Sequence, residues 1–159
     1  MKKYSILISI ALIFLMTMAC SGENLDSLLD NTNDNEQNTT TMNIKIGDTI
    51  LKVTLADNSS AEALINALTE APITLEMRDY GNMEKVGSLG RSFPRNDESI
   101  TTEAGDVILY QGNALVIYYA PNSWSFTRLG KIENITQSEL KKVLGAGNVT
   151  VTLSLSEDK

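Results

Sequence analysis

The chain has no histidine, one cysteine and one tryptophan among its 159 residues. Without imidazole it lacks the commonest general base, the usual nucleophile–histidine pairs and most zinc sites. The single Cys20 has no second thiol with which to form a disulfide. No apolar run reaches the roughly 20 residues that a spanning helix needs. Positive charge is scarce too: 13 Lys and Arg face 20 Asp and Glu, a net charge of −7. That balance argues against nucleic acid as a partner, because phosphate contacts need clustered basic side chains. Gly87 and Gly90 lack the lysine and serine of a phosphate loop. Acidic neighbours such as Asp97 and Glu98 do not read as the facing carboxylates of a glycosidase. No cofactor is expected from this inventory.

What is present begins with a leader. Lys2 and Lys3 precede the apolar run Ile6–Met16 (ILISIALIFLM), followed by TMAC ending at Cys20. This is the layout of a secretory signal. The cysteine directly after Ala19 resembles the lipobox of bacterial lipoproteins, although Thr17 stands where that family usually has leucine. The resemblance implies cleavage of residues 1–19, acylation of Cys20, and a lipid anchor on the extracytoplasmic side of a bacterial envelope, periplasmic or at the surface. Acyl chains contribute about 0.8 kcal/mol per buried methylene, so two or three make a stable anchor. Loss of Lys2 and Lys3 moves the formal charge from −7 to −9. Residues 20–41 (CSGENLDSLLDNTNDNEQNTTT) carry five acidic and no basic side chains. They are expected to form a solvated tether, because Leu25, Leu28 and Leu29 offer too little area to offset ordering entropy.

Residues 42–159 are enough for one domain with a sizeable core. Met42–Leu55 alternates, with Ile44 and Ile46, then Leu51, Val53 and Leu55 on one face, and Gly47-Asp48 between them; this predicts a hairpin. A helix is expected after Asn58, capped by a Ser59–Glu62 box, with Ala63, Leu64, Ala67 and Leu68 as its stripe and Pro72 as its end. Strands follow over Ile73–Met77, Asp106–Tyr110, Ala114–Tyr119, Ser125–Ile132 and Val149–Leu155. A second short helix is capped by Thr136 and Glu139, with Ile135 stapled to Leu140, and stops at Gly145. These elements predict a mainly β domain, a closed barrel of about eight strands with two short helices. Between Asp79 and Arg95 the pattern predicts a long glycine-punctuated connection whose glycines permit positive φ.

PITLEMRDYGNMEKVGSLG, SFPRND, AGDVILYQGNALVIYY and SWSFTRLGKI resemble the bacterial cyclophilin-like domains, in the same order, over essentially all of Met42–Leu155. The resemblance implies an eight-stranded barrel with two helices and a groove on one outer face. Cyclophilins themselves place an arginine on a strand, with a phenylalanine and a glutamine shortly after it, to bind proline and polarise its amide nitrogen. Here Arg78 lies near the corresponding strand end, but Met83 and Val86 occupy the later spacings and the enzymes' histidine is absent. Prolyl isomerase activity therefore does not carry over with the resemblance, and no catalytic residue is assigned.

Two clusters are candidates for a binding groove. Trp124, Phe126 and Arg128 share a face if their segment is a strand; Trp124 and Arg128 either clamp a ligand or close a barrel end, with Arg128 paired to Asp79 or Glu84. Arg78, Tyr80, Met83 and Phe93 belong to the second cluster, with residues 79–95 forming one wall. The function expected is a membrane-anchored binding or accessory module for an unidentified peptide or small molecule. A weak prolyl isomerase acting as a folding helper is the alternative.

Overall fold

The computed structural model describes residues 40–156. The leader, Cys20 and nearly all of the expected tether lie outside the described residues. Nine strands and two helices follow in the order β1 (Thr41–Ile46), β2 (Thr49–Leu55), α1 (Ser59–Glu70), β3 (Ile73–Tyr80), β4 (Glu84–Ser88), β5 (Glu98–Thr101), β6 (Asp106–Tyr110), β7 (Ala114–Tyr118), β8 (Ser123–Ile132), α2 (Gln137–Leu144) and β9 (Val149–Leu155). Eight of the strands close a barrel in the order β2-β1-β9-β3-β4-β7-β6-β8, sealed by the β2–β8 pairing, and every pairing is antiparallel. The ninth, β5, adds only to the first half of β8.

Period-two alternation sorts the strands into an inside and an outside. Ile44, Val53, Met77, Val107, Leu115, Ile117, Leu129 and Leu153 point into one large core, together with Leu64 and Leu68 of α1 and Leu140 and Leu144 of α2. Helix α1 touches both β8 and β9, which are not neighbours in the ring, and so lies across a mouth of the barrel. Asn58 caps it: its side chain accepts from the backbone N–H groups of Ser60 and Ala61. The expected Ser59–Glu62 box does not form, because Ser59 instead donates to Asn96 of the crossing chain. The box at Thr136 and Glu139 is present as expected.

The long connection expected after Asp79 is mostly strand. β3 runs on to Tyr80, turns through Gly81 and Asn82 at positive φ, and returns as β4. Gly87 has a different role from the one positive φ suggested. A Cβ there would lie 2.6 Å from the Glu76 carbonyl and 2.9 Å from the Met77 side chain, so glycine lets β4 press against β3. Only residues 89–97 form an open crossing. They are tied down by Leu89 and Phe93 in the core and by Asn96, which bonds to Ser60 and Thr127.

At the other end of the β3–β4 hairpin, the side chain of Lys85 is fully buried. Its Nζ lies 2.8 Å from Asp79 and donates to the Gly147 carbonyl at 2.5 Å. Asp79 also accepts from the Gly147 N–H and the Tyr119 hydroxyl. Lys85 holds Asp79 below the usual carboxylate range, helped by Gly147. The Lys85–Asp79 pair thus joins β3, β4, the residue that follows β7 and the turn before β9.

Candidate functional site

β6 and β7 read DVILY and ALVIY, runs with no polar alternation, and the physical reason is that both of their faces are covered. The inner face meets the main core. On the outer face Ile108, Val116, Tyr118 and Phe126 form a second, smaller apolar cluster, flanked by Met83, Val86 and Ile100. β5 covers one side of this cluster and leaves the other open. The result is a concavity of about 420 Å³ on the outside of the barrel.

Its floor and walls come from five strands, the turn that holds Met83 and the loop that holds Asn122. β3 supplies Arg78 and Tyr80, β4 supplies Glu84 and Val86, and their register sets Tyr80 opposite Glu84 and Arg78 opposite Val86. Glu84 in turn lies opposite Tyr118 of β7. Tyr110 and Phe126 stand edge to face with centroids 6.5 Å apart, and Tyr118 and Phe126 are 5.5 Å apart. The rim is aromatic and wet, with Trp124 66% and Tyr80 62% exposed. Rigid strands thus carry an apolar floor under exposed rings, a usual composition for a binding cleft.

The floor has one charged group, Glu84, whose residue is 8% exposed. Burial raises its pKa, and a hydrogen bond from Tyr118 only partly offsets this. The Tyr118 hydroxyl is itself pushed far above its ordinary range, first by burial and then by Glu84. Asn122 Nδ2 donates to that hydroxyl at 3.2 Å. Asn122 is fixed in its turn by Thr102, whose hydroxyl accepts from the Asn122 N–H and whose backbone N–H donates to the Asn122 carbonyl.

Of the residues expected at a groove, the structure brings four together: Arg78, Tyr80, Met83 and Trp124. Phe93 is not among them. It is buried in the main core, so the crossing that follows Ser88 does not wall the groove; only the stretch through Val86 does. Trp124, Phe126 and Arg128 do share the outer face, but Arg128 turns away. Its guanidinium lies 3.3 Å from Asp106, not beside Asp79 or Glu84. Phe126, expected on the same face as Trp124, lines the groove as well, whereas Glu84, Tyr110 and Tyr118 carry no mark of the site in the sequence. EKVGS shows no apolar alternation that would mark Glu84, because the segment is a strand only through its partners β3 and β7. The tyrosines look like ordinary core until β5 is seen to cover only part of their face.

The family described as the cyclophilin-like family matches residues 44–154. The chain belongs to that family. Among solved structures, this cyclophilin-like chain is similar to a hypothetical protein from Archaeoglobus fulgidus determined in solution. The TM-score is 0.55 at 18% identity, covering 74% of this chain and 95% of the other. That likeness concerns the fold alone. No curated protein matches. In this cyclophilin-like domain, the positions five and eight residues after Arg78 are Met83 and Val86, both in the groove wall. Neither can donate the amide hydrogen bonds that glutamine would.

Proposed function

We propose that this protein is a lipid-anchored, extracytoplasmic binding module whose cyclophilin-like domain takes a peptide or small molecule in the outer groove. The observation that carries this reading is the pairing of an apolar floor with exposed aromatic rings on rigid strands. Apolar surface gathered in one patch, unlike singly scattered side chains, marks interaction sites, and aromatic rings provide contact area at low entropic cost. A fragment screen followed by amide chemical shifts tests it. Ligands should perturb residues 78–86, 110, 118 and 122–126; shifts scattered over the barrel with no cluster there would end the reading.

The anchor rests on the lipobox-like TMAC and the short apolar run before it. Cys20→Ser should abolish incorporation of a labelled fatty acid, and equal labelling of both forms would refute the anchor. The alternative, a weak prolyl isomerase, is favoured by Arg78 lying in the groove. Negligible acceleration on a proline-containing peptide, unchanged by Arg78→Ala, is the outcome expected on the binding-module reading. Robust isomerisation lost in that variant would install the enzyme instead.

A further inference from the structure

Three charged residues in the described domain are more than nine-tenths buried: Glu84, Lys85 and Asp106. Such groups persist in proteins when an opposite charge or a full set of hydrogen bonds replaces the lost water. Lys85 has Asp79 at 2.8 Å. Asp106 has Lys131 at 3.1 Å and Arg128 at 3.3 Å, and it accepts the Glu103 N–H besides. Glu84 differs from both. Among the described residues it enters no ion pair, and its polar neighbour Tyr118 is a neutral phenol. It is also the one of the three that lines the groove.

We infer that the groove receives an organic cation on an apolar stem, the side chain of an arginine or lysine in a bound peptide, with the Glu84 carboxylate as its counter-ion. The inference rests on the reading of the groove as a binding surface and adds the chemistry of what enters it. Tyr80, Tyr110 and Trp124 stand where the stem and the cation would pass, and aromatic faces attract such groups. A guanidinium fits best on physical grounds, because it stacks on rings and pairs with a carboxylate through two parallel hydrogen bonds. The domain's acidic balance would draw such a ligand in rather than repel it.

The pH dependence follows from what surrounds Glu84. Tyr80 and Arg78 approach from β3, Tyr110 from β6, Tyr118 from β7 and Asn122 from the loop before β8. Arg78 is the only cation of the group. Burial favours the protonated form of Glu84 in the free protein, and an entering cation favours the ionised form. Binding should therefore release a proton and tighten as pH rises through the Glu84 titration.

The emission of Trp124, the only tryptophan in the chain, reports occupancy directly. The full chain is titrated with acetyl-Ala-Arg-Ala-amide and with its citrulline counterpart, which has the same shape and no charge. The arginine peptide should give a saturable change and bind roughly tenfold or more tightly than the citrulline peptide. That preference, and the tightening with pH, should disappear in Glu84→Gln. Equal affinity for the two peptides overturns the cation inference and leaves the groove standing as a binding surface. A preference that survives in Glu84→Gln overturns the role of Glu84. No response to either peptide, with no groove-centred amide shifts from the fragment screen, ends this inference and the binding-module reading together. The peptide comparison on the unaltered chain decides the charge preference even if the variant folds poorly.

Discussion

Two buried charges sit one residue apart on β4 and answer to opposite rules. Glu84 faces out into the groove and Lys85 faces in, because successive side chains of a strand alternate. The fold opposes ionisation of Glu84, since burial raises its pKa above the ordinary 4.5. Its contribution to stability is therefore full below pH 4.5 and is lost as pH rises through the folded-state value. Glu84→Gln removes that penalty, so its thermal midpoint should exceed that of the wild type at pH 8 and match it near pH 4. A lower midpoint at pH 8 would show that the ionised side chain is stabilised where it lies. Asp79 has the opposite sign. Its pKa is held below 3.8, so the stability it contributes is present above that value and is lost as pH falls through the folded-state pKa. Asp79→Asn leaves Lys85 buried without a counter-ion. A fully buried broken pair costs about 3–5 kcal/mol, and partial exposure of Asp79 lowers the expectation to about 2 kcal/mol. Lys85→Met should cost less, because methionine fills the space and carries no charge. Urea unfolding of the two variants checks the order.

At the scale of the element, local signals were reliable where the chain answers only to itself. The Gly47 turn, the box at Thr136 and Glu139, and the alternation of β9 all follow from residues within a few positions of each other. Signals failed where a distant segment competes. Ser59 and Glu62 have the spacing of a capping box, yet Asn96, 37 residues further on, takes the Ser59 hydroxyl and leaves capping to Asn58. The Asn58 side chain also donates to the Arg128 carbonyl, tying the start of α1 to β8. Asn58→Ala should cost about 1–2 kcal/mol, the upper part of the range for a lost N-cap, whereas Glu62→Ala should be nearly silent. A larger effect from Glu62 would restore the box. β4 was missed for a related reason. EKVGS has one large apolar residue and two that favour turns, and it becomes a strand because β3 and β7 flank it on both sides.

The whole molecule depends on one seam. β2 and β8 close the ring over Val53–Leu55 and Gly130–Ile132. Gly130 stands at the tightest point: a Cβ there would meet the Thr54 carbonyl at 2.4 Å and a Val53 methyl at 2.8 Å. Nearby, the β6–β8 register shifts between Val107 and Ile108, so that Leu129 is the unpaired residue. Such a bulge bends and twists a strand, as closure requires. Gly130→Ala should destabilise by about 2–3 kcal/mol through overpacking and speed amide exchange first along β2 and β8. The same substitution at Gly90 meets no neighbour within 4 Å and costs only the backbone strain of its φ of +70°, so it should keep the seam protected. Uniform loss of protection in both variants would mean that closure at this seam is not the controlling event.

The mainly β class, the two helices, seven of the nine strands and the absence of imidazole or thiolate chemistry in the domain were determined by the sequence alone. They depend on composition, on periods of 2 and 3.6, and on caps that act over a few residues. The site was decided elsewhere. Phe93 and Trp124 are both aromatic, and nothing adjacent to either says that the first enters the core and the second stays at the rim. The sequence offers Asp79 or Glu84 to Arg128, and the register of β6 against β8 gives it Asp106 instead. Tyr118 and Phe126 become a groove floor because β5 covers only part of the outer sheet face. Pairing of strands far apart in sequence decides which side chains become neighbours, and so only the closed barrel brings Glu84 into one groove with Tyr80, Tyr110 and Trp124.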